Sequence, residues 1–168
     1  SGESFRLTRI LIWLDPESDP DAAMQVVNSQ IALGSGGLFG KGLVSEGSFA
    51  SLGYIPDDHT DMIFAIVCEE LGLIGAGIVL ILFALLVMRG YWIAIHARDR
   101  FGALLVVGIT TLTAVQVFLN ISVVTNLIPN TGISLPFFSY GGTALMIQLG
   151  EMGMVLSISR QIPAPRQE

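Results

Sequence analysis

The sequence predicts an all-α integral membrane protein in which three transmembrane helices follow a large extracytoplasmic loop carrying short surface helices. Three observations predict it. Apolar residues make up 52% of the 168-residue chain and charged residues only 13%, with a mean hydropathy of +0.69, far from an ordinary soluble domain. The stretches Leu71 to Met88, Phe101 to Ile128 and Pro136 to Ser159 hold a single charge, Glu151. Each reaches the roughly 18 to 20 residues that cross about 30 Å of hydrocarbon, and a soluble bundle would interrupt them with charged faces. Finally, the charge is lopsided: residues 1–61 carry three basic side chains (Arg6, Arg9, Lys41) against nine acidic ones, whereas the remainder balances five against five.

The charges also orient the chain. Arg89, Arg98 and Arg100 lie with His96 between the first two spans, and Arg160 and Arg166 follow the third. The positive-inside rule places that connection and the C-terminus in the cytoplasm, and three crossings then put residues 1–61 outside. The acidic balance excludes a nucleic-acid partner, which needs a basic face against phosphates. Cys68 is the one cysteine, so no intrachain disulfide can form.

Taken in order, residues 5–14 predict a short helix ended by Asp15-Pro16, and Asp19-Pro20 marks a turn. Met24, Val27, Asn28 and Ile31 recur at i, i+3, i+4 and i+7, which predicts a second short helix on the membrane surface or against other spans. The outer segment ends at residue 61, and the spans are expected over about 62–88, 101–128 and 138–159, leaving 161–168 as a cytoplasmic tail. The chain opens Ser1-Gly2-Glu3 with no basic and apolar leader. An outer segment without an export signal or a preceding span reads as the C-terminal piece of a larger membrane protein.

Four places carry candidate chemistry. Gly34-Ser35-Gly36-Gly37-Leu38-Phe39-Gly40-Lys41-Gly42 fails as a P-loop, which would need Gly at 35 and Ser or Thr at 42. Its two remaining readings are a flexible turn and a backbone nest that, with Lys41, contacts a lipid-linked diphosphate. Asp57, Asp58, His59 and Asp61 crowd the start of the first span; one carboxylate would serve as a helix cap worth roughly 0.3 to 1 kcal/mol, and the surplus points to proton transfer. Glu69 and Glu70 follow inside the span, about 100° apart on a helix, so they cannot share a face. Either they are bonded to neighbouring spans around Gly72, Gly75 and Gly77, or one faces a wet cavity. Residues 126–142 mix prolines, glycines and hydroxyls at membrane depth, which is tolerated only where backbone is buried or lines a cavity. Glu151, in the last span, is expected to pair within the bundle.

In these residues the chain resembles the C-terminal part of a SEDS protein (shape, elongation, division and sporulation), the family of RodA, FtsW and SpoVE. The resemblance rests on five motifs in order: Trp13-Leu14-Asp15-Pro16; Gln25 and Gln30 before Ala32-Leu33-Gly34-Ser35-Gly36-Gly37; Pro56 with His59-Thr60-Asp61 before Ile63-Phe64; Glu69-Glu70-Leu71-Gly72; and Leu135-Pro136-Phe137-Phe138-Ser139-Tyr140-Gly141-Gly142. Asp57 stands where the family usually has Glu, Met62 where Phe is common, and Ala23-Met24 where Gly-Tyr often precedes Gln25. The wording around Asn130-Thr131-Gly132-Ile133 and Ser139-Tyr140-Gly141-Gly142 is closer to the FtsW and SpoVE branch.

The resemblance implies a peptidoglycan glycosyltransferase of the bacterial plasma membrane that polymerises lipid II, the undecaprenyl-diphosphate disaccharide-peptide. It assigns the essential acid of the His-Thr-Asp motif to Asp61, and about seven earlier spans of the same SEDS protein would complete the cavity, so this stretch alone is expected to be inactive. The implied partner is a monofunctional transpeptidase, a class B penicillin-binding protein. In this reading Asp61 is the general base, and His59 orients it or contacts the acceptor sugar. Lys41, with Arg6 or Arg9, neutralises the departing diphosphate, and Ser139 lines the substrate site. A divalent cation held by Asp58 would share the neutralisation, although no ligand triad identifies a metal. Two rivals predict different sensitivities. A lipid flippase would depend on Glu69, Glu70 and Glu151 and survive loss of Asp61, whereas a structural module that recruits the transpeptidase would tolerate changes at all four.

Overall fold

The computed structural model describes residue 13 and residues 30–31, 34–42, 63–129, 131–138 and 142–162. Three helices dominate: α1 (Ile63–His96), α2 (Arg100–Val124) and α3 (Gly142–Ser159). All three are long and apolar enough to cross a membrane. Among the described residues the architecture is all-helical. The expected large outer loop, with its short surface helices, falls mostly outside the described residues.

α1 is longer than a membrane requires. Its 34 residues would extend about 51 Å at 1.5 Å per residue, against roughly 30 Å of hydrocarbon. Gly72 resolves the excess: its φ of 69° and ψ of −173° break the helix into Ile63–Leu71 and Leu73–His96, and the second piece alone, at roughly 36 Å, is long enough to span the bilayer. α1 also continues past residue 88, where the first span was expected to end, because Gly90 to Ile95 remain apolar and keep the backbone helical. Arg89 is accommodated by stacking over the Trp92 ring, 4.2 Å from its centroid, and His96 stacks on the other side of the turn at 4.3 Å.

Asp99 starts α2 by accepting a hydrogen bond from the Gly102 N–H at 2.7 Å, the N-cap geometry that satisfies an orphan donor. The connection between α1 and α2 is thus only residues 97–99. α2 ends at Val124 rather than at 128, since Asn126 takes a left-handed φ of 58° and the Leu127 and Ile128 N–H groups both turn back to the Ser122 carbonyl. α2 is the most enclosed of the three helices and packs against both others. Gly90 allows its close approach to α1, because a β-carbon there would overlap the Thr110 hydroxyl, and Tyr91 and Thr111 share a hydrogen bond of 2.9 Å across the same interface. One apolar cluster (Phe64, Ala65, Cys68, Ala76, Phe83, Val117, Val124 and Leu135) joins the break to the middle of the bundle. A second (Ile93, Val106, Ile109 and Val155) closes the other end.

Between α2 and α3 the described residues re-enter the bundle without helix. Residues 136–138 form a turn, so residue 138 does not begin α3, which is described from Gly142. Phe137, at a φ of 66°, could not have continued a helix. Leu135 and Pro136 are fully buried, and Phe137 and Phe138 lie 6.5 and 6.3 Å from the ring of Phe83. Phe83 is about three turns below Gly72 on α1, so this segment reaches roughly 15 Å past the break. Its backbone is satisfied by side chains: Asn120 Nδ2 donates to the Ile133 carbonyl at 2.9 Å, and Gln148 Oε1 of α3 accepts from the Phe137 N–H at 2.8 Å. Non-helical backbone at membrane depth survives only with such partners.

Candidate active site

The break at Gly72 strands four backbone groups, and the glycine-rich loop of residues 34–42 supplies their partners. The Lys41 and Gly42 N–H groups donate to the Glu69 and Glu70 carbonyls at 3.0 and 3.1 Å, while the Leu73 and Ile74 N–H groups donate to the Gly37 and Leu38 carbonyls at 2.9 and 3.3 Å. The loop therefore closes a hydrogen-bonded ladder across the gap in the helix. Backbone meets backbone so closely that a β-carbon at Gly36 would overlap the Cys68 carbonyl and one at Gly40 the Glu70 carbonyl. Gly40, at φ 76°, and Gly72, at φ 69°, also adopt conformations that side chains disfavour.

The Lys41 ammonium lies 2.9 Å from Glu69 Oε1, and the Ser35 hydroxyl approaches the same oxygen at 3.5 Å. Glu69 is fully buried, whereas the Lys41 side chain is 33% exposed. A buried carboxylate requires a charged partner and hydrogen bonds, and the loop provides both. Lys41 is thus held to Glu69 twice, by its main-chain N–H and by its side chain.

This geometry corrects one expectation about the loop. A nest of free N–H groups for a diphosphate is not present at residues 40–42, because Gly40 donates to the Gly36 carbonyl at 2.8 Å and the next two donate to α1. At residues 40–42 an anion would be met by the Lys41 side chain. A cavity of about 310 Å³ beneath the loop is lined by Gly34, Gly37, Leu38, Cys68 and Leu73. That lining is almost wholly apolar and offers no base for a sugar hydroxyl.

The other expected residues are distributed unevenly. Glu70 is half-buried beside the break, and Glu151 is half-buried on α3, where it makes no ion pair with another described residue. Asp57, Asp58, His59, Asp61 and Ser139 lie outside the described residues. The chain nonetheless brings Asp61 within two residues of the start of α1 at Ile63, the same helix that carries Glu69. Among the described residues no three His, Cys, Asp or Glu side chains gather to hold a metal. Sequence reasoning missed the break at Gly72 and the part of Ser35; the signal for the first was a glycine two residues after the glutamate pair Glu69-Glu70.

The chain is similar to known proteins in both fold and sequence. The solved structure described as showing structural coordination of polymerization and crosslinking by a peptidoglycan synthase complex matches with a TM-score of 0.69 and 28% identity, over 94% of this chain and 42% of that one. An aspartate-to-alanine mutant of the Thermus thermophilus rod shape determining protein RodA matches with a TM-score of 0.60 and 29% identity, over 73% and 40%. Among curated relatives, the peptidoglycan glycosyltransferase MrdB of Escherichia coli K12 is 45% identical over 92% of this chain and 42% of its own length. The stage V sporulation protein E of Bacillus subtilis 168 is 47% identical over 93% and 42%. The chain spans about two-fifths of the length of the relatives it matches. The family model described as cell cycle protein, which covers FtsW, RodA and SpoVE, matches residues 1–163, nearly the entire chain, and with these identities it makes this chain a member of the FtsW/RodA/SpoVE family.

Proposed function

We propose that the full-length protein containing this chain is a peptidoglycan glycosyltransferase that polymerises lipid II at the outer face of the bacterial plasma membrane, with Asp61 as general base. Relatives that carry the glycosyltransferase name at 45% identity support the reaction class. The single observation that carries the site is the ladder between the glycine-rich loop and broken α1, which ties a cation to the helix that begins two residues after Asp61.

The chemistry follows from the two charges. A sugar hydroxyl of the acceptor attacks the anomeric carbon of the donor, a C–O bond forms, and the bond to the lipid diphosphate breaks with its electron pair leaving on the diphosphate. The Asp61 carboxylate takes the hydroxyl proton, a role worth roughly 10² to 10⁴ in rate. The Lys41 ammonium neutralises charge on the departing diphosphate. His59 orients Asp61 or contacts the acceptor, Ser139 contacts the substrate, and Asp58 is where a divalent cation would be held. Residues 1–61 stand outside and residues 97–99 and the C-terminus in the cytoplasm. A class B penicillin-binding protein is the proposed crosslinking partner, supported by the likeness to a chain from a complex that couples polymerization to crosslinking.

The flippase reading gains nothing from the geometry, since Glu69 is closed into a pair with Lys41 rather than standing open along a path. The test is lipid II polymerisation by the full-length protein carrying Asp61→Asn. A loss of at least about 100-fold is expected, with the protein still folded; polymer made at the wild-type rate overturns the assignment.

A further inference from the structure

We infer that Glu69 is a positioning residue for this reaction, acting through Lys41 rather than on the substrate. The inference rests on the reading of Lys41 as the counter-charge of the departing diphosphate. A carboxylate with no solvent exposure, at the edge of a membrane span, is a costly group to retain for packing alone. It holds the Lys41 Nζ at 2.9 Å, while its own backbone carbonyl accepts the Lys41 N–H at 3.0 Å. With both ends of the lysine tied to one residue, the ammonium has little freedom to wander along its four-carbon stem.

Chain continuity then links the two halves of the proposed site. Glu69 stands in the short first piece of α1, six residues beyond Ile63, on the rigid element that starts just after Asp61. Fixing Lys41 to Glu69 therefore fixes the leaving-group cation relative to the start of that element. The remaining features fit the same purpose. Ser35 steadies the carboxylate oxygen at 3.5 Å, and Gly36 and Gly40 permit the loop to lie close enough for the pair to form. A loop cation without such an anchor would be mobile, and misplacement by about 1 Å costs on the order of 100-fold in rate.

The test separates positioning from mere support of the fold. In the full-length protein, Glu69→Gln is expected to slow polymerisation about tenfold or more, chiefly through a lowered kcat, because the charge Lys41 meets develops as the diphosphate departs. The reciprocal exchange Lys41→Glu with Glu69→Lys restores a salt bridge but moves the ammonium onto α1. It is expected to recover Tm without recovering polymerisation. If the exchange recovers both, the pair only supports the fold and the inference falls. If Glu69→Gln prevents folding, Lys41→Arg decides: it keeps the charge and the pair while displacing the cation, so a rate within twofold of wild type overturns the inference. Loss of polymerisation in Asp61→Asn alongside unchanged rates in Glu69→Gln and Lys41→Arg would sink this inference while leaving the proposed function standing.

Discussion

Gly36, Gly40 and Gly72 meet backbone to backbone at the helix break, and each would need the opposing chain to move if it gained a β-carbon. Gly40 and Gly72 are the most exposed to this penalty because their φ of 76° and 69° also fall in the left-handed region. Gly40→Ala should cost roughly 1–3 kcal/mol from the backbone conformation alone, with the lost ladder adding to it. The measurement is thermal unfolding in detergent, combined with maleimide modification of Cys68, which is buried and lines the cavity under the loop. Faster labelling with a lower Tm is the expected pair of results; an unchanged Cys68 rate would mean that the loop stays docked without Gly40. At this scale the sequence was partly legible. The angular separation of Glu69 and Glu70 already required them to face differently, and one is fully buried while the other is half-exposed. The partner of Glu69 was not legible, because Lys41 precedes it by 28 residues and a contact of that span is decided by tertiary packing, not by local spacing.

At the scale of the element, the re-entrant stretch between α2 and α3 depends on two amide side chains. Gln148 accepts the Phe137 N–H and Asn120 donates to the Ile133 carbonyl, so each satisfies a backbone group that has no helical partner. Gln148→Leu keeps the approximate volume but leaves the Phe137 donor unpaired, which costs about 1–3 kcal/mol when the group is buried. Thermal unfolding of the purified protein should register this as a lower Tm; an unchanged Tm would indicate that the Phe137 N–H finds another acceptor. The prolines and glycines of residues 129–142 made this interruption readable in advance, since such composition cannot propagate a helix through lipid. The break in α1 was different. A lone glycine in an apolar helix reads the same whether it admits a neighbouring helix, as Gly90 does beside Thr110, or reverses the local backbone, as Gly72 does. Helix ends were similarly uneven: Asp99 announces the start of α2 as an N-cap, while α1 continues through Tyr91 and Trp92 because nothing polar enough stops it.

For the whole molecule, the lateral surfaces of α1 and α3 remain apolar, with Leu73, Ile81, Leu82, Met146 and Ile147 among the widely exposed side chains. Surfaces of that kind are stable against lipid or other spans rather than water. The three helices and their apolar faces follow from hydropathy, because nearly every residue of a span contributes to the signal. Orientation rests on fewer groups, the arginines near residues 97–100 against the acidic outer segment. Labelling tests it directly. In a Cys68→Ala background, a cysteine at Phe39, which is 83% exposed on the loop, or at Arg98 in the connection between α1 and α2 provides one reporter on each side. Phe39→Cys should react with a membrane-impermeant maleimide in intact spheroplasts, and Arg98→Cys only after the membrane is opened. The reverse pattern would place Lys41 and Asp61 on the cytoplasmic side, where a polymerase that builds an external wall has no use for them. It would therefore remove both the orientation and the proposed reaction. Equal labelling of both positions before permeabilisation would instead contradict the span assigned to Leu73–His96, since that helix alone separates the two reporters by roughly 36 Å.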